Sequence, residues 1–164
     1  MRLRNILVVE DSDEDFETVQ DVARQRRILH PIVRAASGSE CLRLLRLWRE
    51  TPQLPPSPPS PPLPQLPQLP VTQRSRDALP LLVLLDLNTP GDDGRDVLRQ
   101  MRSDERLAAL PVVVLSASAN PRDLQFCFAN GANSYHVKPV AHVMHLKVLQ
   151  AIFDYWLGSA VLPD

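Results

Sequence analysis

Side chains able to do chemistry stand at the ends of four short strand-like runs. Glu10 and Asp11 follow Ile6-Leu7-Val8-Val9, and Asp86 follows Leu81-Leu82-Val83-Leu84-Leu85. Ser116 follows Val112-Val113-Val114-Leu115, and Lys138 follows the short run Ser134 to Val137. Three carboxylates brought together repel one another and raise each other's pKa. A hard divalent cation relieves that conflict, and oxygen-only donors that leave room for water suit Mg²⁺. Asp11 and Asp86 are then expected as direct ligands, Glu10 as a ligand through a bound water, and the backbone carbonyl of Asn88 as the last protein donor. Asp86 is also a candidate nucleophile, because carboxylates form acyl phosphates. The Lys138 ammonium would neutralise charge on an incoming phosphoryl group, and the Ser116 hydroxyl would hydrogen-bond one of its oxygens.

Taken singly, each residue has an ordinary explanation. Asp86 can begin a turn, Ser116 can cap a helix, Lys138 can be a surface lysine, and the acidic run from 10 to 15 can favour a helix N-terminus. What points to chemistry is the set: an acid pair, a single Asp, a hydroxyl and a Lys-Pro, in that order, each at a different strand end.

The elements that must position these groups alternate. The continuous, β-branched runs read as strands covered on both faces. Between them lie helical patterns: Phe16, Val19, Val22, Ala23 and Leu29 on one face up to Pro31; Leu42, Leu45 and Trp48 after Ser37-Gly38-Ser39; Val97, Leu98 and Met101; Pro121 to Ala129, closed by Asn130-Gly131; and Val140 to Leu157. Ile32 to Ala36 supplies the remaining strand. Five strands alternating with helices require crossover connections, hence a parallel sheet with helices on both faces. The expected fold is a doubly wound α/β domain with flavodoxin-like strand order 2-1-3-4-5, whose ligands bind beyond the carboxyl ends of the strands.

The 164 residues suit one domain, here 1–164, interrupted by a proline-rich insertion at 51–79. Most of the 17 prolines fall between Pro52 and Pro70, where helix and sheet ladders cannot form, so an extended loop is expected. With 18 basic and 19 acidic side chains the net charge is −1, which gives no reason to expect nucleic acid as a partner. No apolar run is long enough to span a membrane. Cys41 and Cys127 read as buried thiols of a reducing compartment, and the expected location is the cytoplasm.

Four separated segments resemble the receiver domains of bacterial two-component systems: Val8-Val9-Glu10-Asp11-Ser12, Asp86-Leu87-Asn88-Thr89-Pro90-Gly91-Asp92-Asp93-Gly94, Ser116-Ala117, and Tyr135-His136-Val137-Lys138-Pro139. The resemblance implies that Asp86 is the phosphoacceptor, that Glu10, Asp11 and the Asn88 carbonyl organise Mg²⁺, and that Ser116 and Lys138 read the phosphoryl group. It also implies that Tyr135 is an aromatic switch whose ring turns inward on phosphorylation. The end of the chain, Ala151-Ile152-Phe153-Asp154-Tyr155-Trp156-Leu157 followed by Val161-Leu162-Pro163, resembles regulators that pair with phytochrome histidine kinases. A stand-alone response regulator is therefore expected, with a histidine kinase as donor and a histidine phosphotransfer protein as one route onward.

The last helix carries more apolar surface than one core-facing stripe requires. Leu146, Leu149, Ile152, Phe153 and Trp156 are expected inward, with Met144, Val148, Ala151 and Tyr155 on another side. A homodimer through the fourth helix, fifth strand and fifth helix would cover the excess, as would a folded-back Val161-Leu162 tail. Asn88 and Ser118 are expected to flank the line of water attack and to set phosphate lifetime. Three other functions compete: a pseudo-receiver that only binds partners, an Asp-nucleophile phosphohydrolase, and flavin binding, for which no phosphate-cradling loop follows the first strand. The second wants another Asp two residues after the nucleophile, where this chain has Asn88.

Overall fold

The computed structural model describes residues 3–50 and 79–163. The proline-rich insertion lies outside the described residues, except Leu79, which is buried in the core. Strands β1 (Ile6–Val9), β2 (Ile32–Ala35), β3 (Leu82–Leu85), β6 (Val112–Ser116) and β7 (Ser134–Val137) form one sheet in the order β2-β1-β3-β6-β7. Every pairing in it is parallel. This is the expected 2-1-3-4-5 order, with a two-stranded antiparallel hairpin, β4 (Asn88–Thr89) and β5 (Asp92–Asp93), added inside the loop that follows Asp86.

Successive side chains of a strand face opposite sides of the sheet, and both sides here are dry. Leu7, Val9, Val83, Leu85, Val112 and Val114 face one core. That core is closed by α2 (Gly38–Glu50), α3 (Gly94–Ser103) and α4 (Pro121–Ala129), through Leu45, Leu98, Met101 and Cys127. Ile6, Val8, Leu82, Leu84, Val113 and Leu115 face the other core. There α1 (Asp13–Gln25) contributes Val19, Val22 and Ala23, and α5 (His142–Phe153) contributes Leu149, Ile152 and Phe153. Burial on both faces is why the strands read as continuous apolar runs rather than as alternating ones.

Four local expectations need correction. The first helix ends at Gln25, not at Pro31, because Arg27 takes a left-handed conformation (φ 54°). Leu29 lies beyond that turn and is 77% exposed. The last helix is not continuous from Val140 to Leu157: Val140 lies in the preceding loop, α5 begins at His142, and a π-helical turn, Asp154–Ser159, follows it. The Ala160 amide closes that turn on the Tyr155 carbonyl at 2.7 Å. Val148, expected on the outer side of this helix, packs against the inner core instead. Val161 is 99% exposed and covers nothing. The tail is tied elsewhere, by Arg4 Nη1 donating to the Pro163 carbonyl at 2.8 Å. Among the described residues, no helix is long and apolar enough to cross a membrane.

Candidate functional site

In this strand order the chain winds one way from β1 to β2 and the other way from β3 onward. The crevice between the ends of β1 and β3 is therefore the topological switch point. Glu10 and Asp11 leave the end of β1, and Asp86 leaves the end of β3, its amide donating to the Val9 carbonyl at 3.1 Å. One carboxylate oxygen from each of the three lies within 4.8 Å of the others. Glu10 and Asp86 are buried, and Asp11 is exposed.

Lys138 enters from beyond β7. Its amide donates to the Ser116 carbonyl at 2.8 Å, continuing the ladder with β6. Its ammonium lies 2.5 Å from Glu10 Oε2, 2.8 Å from Asp15 Oδ2 and 2.8 Å from Asp86 Oδ2. Burial alone would lower the Lys138 pKa, but the hydrogen bonds to Asp15, Asp86 and Glu10 outweigh it and hold the group above its ordinary value. Burial raises Glu10 above its usual range, and the Lys138 ammonium and the Ser12 amide only partly offset that. One ammonium thus faces four carboxylates, counting Asp11, and negative charge remains in excess. The donors around the crevice are oxygens, on rigid strand ends and open to water at Asp11. That chemistry fits a hard divalent cation such as Mg²⁺ or Mn²⁺.

The loop after Asp86 is built to bring backbone close. The Asn88 amide donates to Asp86 Oδ1 at 3.0 Å, and the Asn88 side-chain amide donates to Ser116 Oγ at 3.3 Å. Between β4 and β5 the turn is Pro90-Gly91, with Gly91 at φ +78°, the left-handed position such a turn reserves for glycine. At Gly94 a Cβ would lie 2.6 Å from the Leu87 Cα and 2.7 Å from the Asp86 carbonyl oxygen. Only glycine therefore lets the start of α3 sit directly on the Asp86 backbone. Asp92 fastens the hairpin to α2, accepting from the Ser39 amide at 2.9 Å and from its hydroxyl. A cleft of about 520 Å³ opens beside this loop, lined by Asp11, Asn88, Pro90 and Arg95 among others. A second cleft, of about 590 Å³ near Arg46, Arg49 and Asp104, holds none of these residues.

Ser116 is fully buried at the end of β6. Tyr135 packs its ring against the core beneath α4, and its hydroxyl donates to the Ser118 carbonyl at 2.8 Å. Burial raises the Tyr135 pKa, so the phenol stays protonated. The Ser118 hydroxyl is committed to Asp123, at 2.5 Å. Asp123 in turn accepts from Arg95 Nη2 at 2.8 Å. These bonds hold Asp123 below its ordinary pKa, Ser118 first and Arg95 next.

The structure brings together Glu10, Asp11, Asp86, Asn88, Ser116 and Lys138, and it sets Tyr135 one loop away. The Ser118 hydroxyl points to Asp123. Sequence reasoning missed Asp15 as the third partner of Lys138. Its signal was its place in the first turn of α1, just after the acid pair. It also missed Arg95 with Asp123, and Arg34, for which a lone charge in a strand or helix gives no signal.

A family model described as the response regulator receiver domain matches residues 71–150. Among curated proteins, the chain is 44% identical over 81 residues to the probable methanogenesis regulatory protein FilR2 of Methanothrix harundinacea, covering 49% of this chain and 52% of that one. It is 30% identical over 158 residues to the response regulator Rcp1 of Synechocystis, covering 96% of this chain and 92% of Rcp1. Among solved structures, the phosphorylated cyanobacterial phytochrome response regulator RcpA superposes with a TM-score of 0.78 at 29% identity, covering 99% of this chain and 100% of that one. The Mn²⁺-bound form of Rcp1 gives 0.77 at 29% identity, covering 98% and 99%. Fold, strand-end chemistry and near-full-length similarity agree: the chain belongs to the response regulator receiver domains and is homologous to the response regulator Rcp1 and to the cyanobacterial phytochrome response regulator RcpA.

Proposed function

We propose that Asp86 accepts a phosphoryl group from the phosphohistidine of a sensor kinase. The observation that carries this reading is the buried Asp86 carboxylate at the mouth of the crevice, with the Lys138 ammonium 2.8 Å from it. An Asp86 oxygen attacks phosphorus as the P–N bond to the kinase imidazole breaks. The bonding pair returns to the imidazole nitrogen, which takes up a proton, and Asp86 becomes an acyl phosphate. Glu10, Asp11, Asp86 and the Asn88 carbonyl are the residues that would hold Mg²⁺, with Glu10 acting through water. A divalent cation bound there supplies positive charge beside the phosphoryl oxygens. Lys138 supplies the second positive charge, and the Ser116 hydroxyl, now in reach of the Asn88 amide, is the donor that reads the transferred group. Tyr135 is the aromatic residue that follows Ser116 through the Ser118 loop.

A response regulator of this family implies a histidine kinase partner, and similarity to Rcp1 and RcpA supports a phytochrome-type one. We read the chain as a cytoplasmic signalling switch rather than an enzyme, with onward transfer to a histidine phosphotransfer protein as one output. Phe128, Val143 and Met144 expose apolar surface on α4 and α5, which supports a homodimer through α4, β7 and α5. A phosphohydrolase reading finds no support, since Asn88 occupies the position of its second Asp. The test is phosphoryl transfer from radiolabelled, autophosphorylated phytochrome kinase. Label is expected on the wild type and not on Asp86→Asn. Labelling by an unrelated sensor kinase but not by the phytochrome kinase would remove the partner assignment, and equal labelling of the Asp86→Asn protein would remove the site.

A further inference from the structure

Glu10 and Asp11 reach the crevice from a short loop between β1 and α1. Two amides of that loop are already paired: Glu10 donates to the Ala35 carbonyl at 2.9 Å, and Ser12 donates to Glu10 Oε1 at 3.0 Å. Two of its carbonyls converge on one side chain. Arg34 Nε donates to the Glu10 carbonyl at 2.8 Å, and Arg34 Nη2 donates to the Asp11 carbonyl at 2.7 Å. The third nitrogen, Nη1, reaches Asp13 Oδ1 at 2.6 Å. The ring of Phe16 lies against the guanidinium, 5.1 Å from carbon to centroid. Arg34 itself is anchored in β2, paired in register with Val8. A planar fork held on all sides thus ties the two acidic residues to the sheet.

We propose that Arg34 is a positioning residue for the divalent cation: by gripping the carbonyls of Glu10 and Asp11 it presets their carboxylates at the spacing the ion needs. The proposal rests on the reading of Glu10, Asp11 and Asp86 as the metal site. A bare charge and a positioning fork at Arg34 would act on metal affinity with opposite sign. A guanidinium near a cation site repels the cation, so if Arg34 acted as a charge alone its removal would tighten metal binding. If Arg34 acts as a fork, its removal frees the loop, and the ion must then order that loop as it binds. Affinity falls in that case despite the relief of repulsion. Lysine keeps the charge but is a single point donor and cannot span two consecutive carbonyls. An edge-strand charge that merely deters sheet pairing would be replaced by lysine without effect on the metal.

Calorimetric titration with Mg²⁺ alone separates these roles in the wild type, Arg34→Lys and Arg34→Gln. Near-ultraviolet circular dichroism checks that each is folded. Both variants are expected to bind Mg²⁺ about tenfold more weakly, the usual scale for residues that orient metal ligands. Gln binding as tightly as the wild type or tighter, or Lys matching the wild type, overturns the proposal. If Arg34→Gln loses its fold, Arg34→Lys decides. A wild type that binds no Mg²⁺ removes the metal-site reading and this proposal with it, whereas a binding wild type matched by its variants overturns this proposal alone.

Discussion

The Lys138 ammonium lies 2.8 Å from Asp86 Oδ2, although the two residues leave strands β7 and β3, which are separated by β6. The contact exists because Lys138 continues the β6 ladder through the Ser116 carbonyl and then reaches back across the strand ends. Both side chains are about nine-tenths buried, as is Glu10. Removing the ammonium leaves two buried carboxylates facing each other. Lys138→Ala is therefore expected to lose about 3 kcal/mol, the low end for breaking a buried pair. Mg²⁺ is expected to restore part of it. Urea denaturation with and without the ion measures both.

Gly94→Ala tests the close approach of α3 to the Asp86 loop. The added methyl meets the Leu87 Cα and the Asp86 carbonyl oxygen, and neither can swing aside as a flexible side chain could. A loss of about 2 kcal/mol is expected from the overpacking, in spite of alanine's better helix propensity. An unchanged urea midpoint would show that the helix start shifts without cost.

Strand-like runs ending in Glu10, Asp86, Ser116 and Lys138 disclose the strands and the crevice at their ends, because burial and chemistry at strand ends leave direct marks on residue order. The β4–β5 hairpin leaves only the Pro90-Gly91 dipeptide as its mark. The end of α1 depends on Arg27 adopting a left-handed conformation that arginine does not advertise. The grip of Arg34 on Glu10 and Asp11 depends on distances between strands, and a single strand sequence cannot carry them. The π-helical turn after Phe153 interrupts an apolar pattern that reads as one helix.

His145 sets a pH dependence. It is buried on α5, its Nε2 has no hydrogen-bond partner among the described residues, and burial lowers its pKa from the ordinary 6.5. The unfolded chain therefore binds the proton more readily than the fold does. The stabilising contribution is complete above pH 6.5 and is lost as pH falls from there through the folded-state value. His136, also lowered by burial, acts in the same direction. Urea midpoints measured between about pH 7.5 and 5.5 are expected to fall less steeply in His145→Leu than in the wild type. Equal slopes would show that His145 does not contribute.

The Arg95–Asp123–Ser118 chain holds the loop between β6 and α4, to which the Tyr135 hydroxyl is also bonded. Asp123→Ala releases the Ser118 hydroxyl and the Arg95 fork together. Faster amide exchange is expected across residues 117–120, with the β1 and β3 amides unchanged. Exchange that stays the same in that loop would mean the backbone alone holds it.

The central claim is that Asp86 is charged with a phosphoryl group at a metal-dependent site. Intact-mass spectrometry after incubation with acetyl phosphate tests it most directly, using wild type and Asp86→Asn with and without Mg²⁺. The account expects a single phosphoryl adduct on the wild type that requires Mg²⁺ and is absent from the variant. An adduct that persists in Asp86→Asn, or that forms equally well without a divalent cation, would contradict it.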